Sequence, residues 1–387
     1  MKTADNLANL QTETAFEVLA RAAKLERGGK SIINLGIGQP DFQTPEHVVE
    51  AAVKAMRDGH HGYTPAAGIL PLREAVAGDI ALRRGVQISP ENIVIMPGGK
   101  PTMFFSIMMF GQPGAEIMYP DPGFPIYRSM IQYTGATPVP IHLREENGFA
   151  FSAAEVLSQI TPATRLIIVN SPGNPTGGVT PRAEVEKLVA GLADWPDVAV
   201  MSDEIYSRML YDGETHVSFL EFPEIRDRLI VLDGWSKTYA MTGWRLGYSV
   251  WPDGLVERAT RLCVNAHSCV NAPTQYAGIA ALTGPQDAAE AMMAAFDARR
   301  SVIVKGLNAL PGFECQMPKG AFYAFPNITG TGIDAKTLQT RLLEEAGVAA
   351  IAGPSFGVKA DGFIRFSYAN SVENIQEAMA RIRVLLG

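Results

Sequence analysis

Seven short apolar runs, spaced along residues 93–250 with helical stretches between them, constrain this chain more than any other feature. They fall at residues 93–96, 116–119, 138–143, 166–170, 198–202, 229–232 and 245–250. Most are continuous runs of Val, Ile, Leu and Met. A strand exposed on one face alternates apolar and polar residues, so continuous apolar strands must be covered on both faces. Segments such as 102–110 and 182–193 have helical character and supply that cover. The pattern predicts an α/β fold on a mainly parallel, seven-stranded sheet.

Beyond Gly284-Pro285 the pattern changes. A long helical stretch, 286–309, ends at Pro311-Gly312, and the tail mixes short segments at 322–325, 336–346, 362–368 and 373–386. This predicts a smaller α+β domain. The N-terminal segment, a helix at 14–27 stopped by Gly28-Gly29 and then a strand at 31–37, is expected to join it. The division is therefore 46–285 for the large domain, with 1–45 and 286–387 forming the small one. With 387 residues, 47% of them hydrophobic, the chain can fill both cores.

A net charge of −7 argues against nucleic acid or an anionic membrane surface as a partner. Any phosphate must then be held locally, by helix N-termini and a few placed cations. No run reaches the ~20 apolar residues of a membrane helix. Residues 1–11 are polar and mixed in charge, so the expected location is the cytoplasm. Cys263, Cys269 and Cys315 have neither metal-ligand nor CxxC spacing and read as reduced thiols, with no metal site expected.

The polar residues that interrupt this apolar pattern sit at strand ends. Lys237 follows the 229–232 run, at the carboxyl edge where α/β sheets bind ligands. Desolvation there lowers an ammonium's pKa toward a nucleophilic amine. Ser236 and Arg245 flank it and suit a dianionic phosphate. Asp203 ends the 198–202 run, where a carboxylate can pair with a protonated ring nitrogen and keep the ring an electron sink. Tyr206 then lies within reach of a phenolate oxygen on the same ring. Asn174 sits in the rigid loop Asn170-Ser-Pro-Gly-Asn-Pro-Thr-Gly177, whose Asn-Pro bond is a candidate cis peptide. Met96-Pro-Gly-Gly-Lys100 leaves backbone N–H groups free at a helix start.

Taken singly, each has a plain structural explanation: a loop lysine, a helix-capping aspartate, an ordinary turn, a packing glycine. Their convergence on successive strand ends is what points to a site. Ser236-Lys237 with Gly243-Trp-Arg-Leu-Gly-Tyr248 resembles the Schiff-base signature of the class I/II aminotransferases, the fold type I superfamily of aspartate aminotransferase. The resemblance runs from Gly36-Ile-Gly-Gln-Pro-Asp-Phe42 through Gly62-Tyr-Thr-Pro65 to Gly320-Ala-Phe-Tyr-Ala-Phe325 and Ile364-Arg-Phe-Ser-Tyr368.

That resemblance implies a pyridoxal 5'-phosphate (PLP) enzyme moving an amino group from an amino acid to a 2-oxo acid. It makes Lys237 the Schiff-base lysine and proton shuttle, and Asp203 the partner of the pyridine nitrogen. Asn174 and Tyr206 contact the ring hydroxyl. Gly99 and Lys100, through their backbones, hold the phosphate with Ser236 and Arg245, and Tyr63 reaches it from the partner subunit of a homodimer. Phe124 matches the aromatic stacked on the cofactor, although relatives often carry Trp or Tyr there. Arg365 takes the substrate α-carboxylate in a bidentate pair, beside the Gly38 backbone and Asn174.

Met108 raises the question of donor. Some aspartate-specific relatives place a lysine there for the distal carboxylate, and the apolar stretch 103–110 offers no cation. A neutral or aromatic donor is then as plausible as aspartate. A PLP-dependent elimination lyase or cyclising synthase on the same scaffold is the nearest rival. A non-catalytic PLP-binding regulator lacks the DNA-binding module it would need, and a nicotinamide dehydrogenase lacks a GxGxxG after its first strand.

Overall fold

In a computed structural model describing residues 1–12 and 14–387, the seven runs form one sheet. Its strands are β1 (Ile93–Met96), β2 (Glu116–Asp121), β3 (Thr137–His142), β4 (Thr164–Asn170), β5 (Ala199–Asp203), β6 (Leu229–Gly234) and β7 (Gly247–Val250). Their order across the sheet is β1-β7-β6-β5-β4-β2-β3. Neighbours pair in parallel except at β7, which runs antiparallel to both β1 and β6. The carboxyl ends of six strands therefore share one edge with the amino end of β7.

The continuous apolar runs are explained by cover on both faces. Ile167, Val169, Val200 and Val231 belong to one apolar cluster; their neighbours Ile168, Met201, Ile230 and Leu232 belong to another on the opposite face. Helices such as Lys100–Phe110 and Arg182–Gly191 join successive strands. Strand ends lie within about two residues of expectation. The largest difference in kind is at 245–246: Arg245 stands outside the strand with φ +53°, the left-handed region that costs a non-glycine residue about 1–2 kcal/mol.

A third apolar cluster gathers residues of 292–382 with Ile33, Leu35, Tyr206, Met209 and Tyr211. Around it Ile364–Ser367 pairs antiparallel with both Ile351–Ala352 and Tyr323–Ala324, and Ile33–Asn34 pairs in parallel with Val348–Ala349. The strand expected at 31–37 is thus only two residues long, because among the described residues its ladder partner is the two-residue segment at 348–349. The helix expected at 336–346 is Ala335–Arg341, continued by a π turn, Leu342–Ala346. The first and longest helices, Thr14–Arg27 and Asp287–Asn308, match their predicted extents closely.

Candidate active site

The shared sheet edge opens into a cavity of about 460 Å³. All the cofactor and substrate residues expected from the sequence line it except Tyr63. Asp203 closes the floor at the end of β5. Ser236 and Lys237 stand on the turn after β6, and Gly99 and Lys100 on the start of the helix after β1. Phe124 follows β2 and Asn174 follows β4. Arg365 enters from Ile364–Ser367 and Gly38 from the N-terminal segment. Tyr63 is 93% exposed and lies away from the cavity.

Asp203 is 2% exposed. Its Oδ2 accepts a 2.6 Å hydrogen bond from the Tyr127 hydroxyl, and its Oδ1 accepts from the Ile205 amide at 3.2 Å. Burial pushes the carboxyl up to about 6, although both hydrogen bonds pull it down. Asn170 braces the same corner: its Nδ2 donates to the Asp203 carbonyl and its Oδ1 accepts from the Asn174 amide, both at 3.0 Å. Asn174-Pro175 is cis, as the sequence suggested, and so are Asp121-Pro122 and Ser171-Pro172.

The Lys237 ammonium donates to the Gly38 carbonyl at 2.6 Å and lies 5.9 Å from the Tyr206 ring centroid. The Tyr206 hydroxyl is 2.7 Å from that of Tyr323, and burial, then this partner, raises its pKa well above the ordinary tyrosine value. Arg365 is 3% exposed; its Nη1 donates to Asn174 Oδ1 at 2.8 Å and its Nη2 to the Gly36 carbonyl at 2.5 Å. The guanidinium carbon lies over the rings of Tyr323 and Phe356, 4.6 and 4.7 Å from their centroids.

Opposite stands an anion cradle. A Cβ added at Gly98, whose φ is +85°, would meet Arg245 Nη2 at 2.3 Å, so the guanidinium packs directly on this glycine's backbone. Ser236 and the amides at the start of helix Lys100–Phe110 complete it. A flat ring with a phosphate at one end and a protonated nitrogen at the other fits this set: cradle, aromatic wall, buried carboxylate and primary amine. Pyridoxal phosphate has that form.

Sequence reasoning gave no role to three contributors. Tyr323 lay inside the quoted motif Gly320–Phe325 and Tyr127 close after Phe124, but their partners are far along the chain. Tyr127 falls three residues after Phe124, one helical turn, and that spacing was the available signal. The third is an ion cluster behind Asp203. Arg84 pairs with Glu204 at 3.0 Å and with Asp233 at 2.6 Å, and His216 and Ser218 also reach Glu204. Burial opposes the Glu204 charge, but Arg84 and His216 outweigh it and hold the carboxyl at about 2.

Met108 is 46% exposed and does not line the cavity, whereas Lys100 does, and its Nζ lies 5.6 Å from the ring centroids of both Phe16 and Phe124. Eight helical residues carry Met108 about 12 Å along the axis from Lys100, away from the strand edge.

Fold and site together define a PLP-dependent enzyme of fold type I. A sequence profile described as aminotransferase class I and II matches residues 30–382. The aspartate aminotransferase of Geobacillus stearothermophilus is 36% identical over 388 residues, 99% of this chain and 98% of the relative. An aromatic-amino-acid aminotransferase of Thermococcus litoralis is 37% identical over 365 residues, 94% and 93% of the two chains. The crystal structure of the aspartate aminotransferase from Rhizobium meliloti superposes with a TM-score of 0.94 at 33% identity, covering 100% and 99%. The chain belongs to the class I and II aminotransferases: it is a transaminase that works with pyridoxal phosphate.

Proposed function

We propose that this transaminase takes dicarboxylic substrates, an acidic amino donor and a dicarboxylic 2-oxo acid, with the residue roles that follow. The observation that carries the substrate class is that Lys100 lines the cavity, with its ammonium 5.6 Å from the ring centroids of Phe16 and Phe124. The aspartate aminotransferases among the relatives support it. The relative from Thermococcus litoralis keeps an aromatic donor as the alternative outcome.

Bound pyridoxal phosphate supplies an electron sink that makes the substrate Cα–H acidic. Asp203 keeps the ring nitrogen's proton in place, and Tyr127 fixes the carboxylate's orientation. Lys237 would hold the cofactor and, as a free amine, would take the Cα proton and return it one position along. Tyr206 and Asn174 would serve the ring hydroxyl, and Phe124 would cover the ring. Gly99 and Lys100 through their backbones, Ser236 and Arg245 would hold the phosphate. Arg365 binds the α-carboxylate on a guanidinium already fixed by Asn174 and Gly36, so little side-chain freedom is lost on binding.

The division into 46–285 and a smaller domain of 1–45 with 286–387 belongs to this proposal, supported by the separate apolar cluster around 292–382. So does a homodimer in which Tyr63, 93% exposed in the single chain, completes the partner's phosphate site. No helix among the described residues is long and apolar enough to cross a membrane. Three free thiols fit a reducing compartment such as the cytoplasm.

A donor screen against 2-oxoglutarate, pyruvate and oxaloacetate tests the substrate class, run beside Lys100→Met. The proposal expects aspartate or glutamate to lead, and the variant to raise KM for those donors about tenfold or more while sparing alanine and phenylalanine. An aromatic donor leading in the native enzyme, or a variant that affects all donors alike, refutes it.

A further inference from the structure

The two walls that grip a substrate come from different parts of the chain. Phe124 follows β2, while Arg365 rests on Phe356, in the segment just before Ile364–Ser367. One buried carboxylate joins them. Asp121, the last residue of β2, is wholly buried, and it accepts from the Val358 amide at 3.1 Å and the Lys359 amide at 3.0 Å. The Tyr119 hydroxyl adds a long contact of 3.4 Å. Two residues on, the Gly123 amide donates to the Phe356 carbonyl at 2.8 Å. Gly357 permits this approach: its φ is +148°, and an added Cβ would sit 2.0 Å from Asp121 Oδ1. A buried carboxylate facing two converging backbone donors is costly to replace, because one lost acceptor leaves a buried N–H unpaired.

We propose that Asp121 is a positioning residue for substrate recognition: it latches the 356–359 segment to the end of β2 and so fixes the Phe356 platform beneath Arg365. The latch sets the separation between the wall that packs on the cofactor and the arginine that takes the α-carboxylate. It rests on Arg365 binding that carboxylate, as proposed above. Loosening the latch lets Arg365 shift with Phe356, which weakens carboxylate binding and leaves the chemistry at Lys237 and Asp203 untouched.

The test uses the holoenzyme in three variants: Asp121→Asn, which keeps the shape but turns one acceptor into a donor; Gly357→Ala, which pushes on the same contact from the other side; and Arg365→Lys. Four quantities are read: KM and kcat for the best amino donor, the inhibition constant of succinate, and the affinity of the apoprotein for pyridoxal phosphate. Asp121→Asn and Gly357→Ala are each expected to raise KM and the succinate constant about tenfold, with kcat within about twofold and cofactor affinity unchanged. Unchanged KM and succinate binding in a folded variant overturn the latch, as does an equal loss of kcat and cofactor affinity, which would mark general loosening. Where Asp121→Asn fails to fold, Gly357→Ala decides alone. If Arg365→Lys leaves KM and succinate binding unchanged, the carboxylate role of Arg365 falls and the latch falls with it. If Arg365→Lys raises them and the other two variants do not, only the latch falls.

Discussion

Asp203 holds its carboxyl in a site built for a cofactor, so the apoprotein should bear a cost that a single substitution removes. Burial raises this carboxyl from 3.8 to about 6. At roughly 1.4 kcal/mol per pH unit the difference amounts to about 3 kcal/mol. Because the folded pKa lies above the unfolded one, the folded apoprotein binds this proton more tightly than the unfolded chain. The associated stabilisation is complete below about pH 4 and is lost as the pH rises through about 6. Asp203→Asn keeps an acceptor for Tyr127 and has no charge to bury. Urea unfolding of both apoproteins between pH 4 and 8 isolates the effect, since the other titrating groups are shared. The variant should match the native apoprotein near pH 4 and exceed its stability by about 3 kcal/mol above pH 7, while losing cofactor affinity and turnover. A stability difference that stays flat with pH, or runs the other way, refutes the assignment of Asp203 as a buried, uncompensated carboxylate.

Two further perturbations separate the shells around that carboxylate. Tyr127→Phe removes the 2.6 Å hydrogen bond to Asp203; a bond to a charged group is worth about 1.5–3 kcal/mol, so cofactor affinity should fall at least about tenfold, measured by titrating the apoprotein. Arg84→Met leaves Glu204 and Asp233 buried without their cation and should cost about 3–5 kcal/mol in chemical denaturation.

The sheet was legible because a strand buried on both faces must be written in consecutive apolar residues, and few other structures demand that. Lys237, Asp203 and Asn174 were legible for a related reason. At the end of such a run a polar residue stands out, and its position in the chain already fixes it at one edge. Gly38 and Arg365 arrive from the two opposite ends of the chain and rested on the resemblance. Tyr127 and Tyr323 escaped because their partners lie 76 and 117 positions away; the three-residue spacing from Phe124 marked a shared helix face for Tyr127, but it names no such partner. The same limit explains Lys100. Its backbone role followed from a glycine-rich helix start, but its side chain lies near Phe16 and Phe124, 84 residues before it and 24 after it, contacts that no local pattern encodes. The Asp121 latch is a contact of this kind too, made with amides 237 and 238 residues on.

The central claim is that Lys237 carries the cofactor and moves the proton. Reducing the holoenzyme with borohydride, digesting it and locating the cofactor by mass spectrometry tests that claim directly. The cofactor's mass should appear on the peptide containing Lys237 and nowhere else, and Lys237→Ala should abolish both the label and transamination. A label on another lysine, or turnover that survives the substitution, would contradict it.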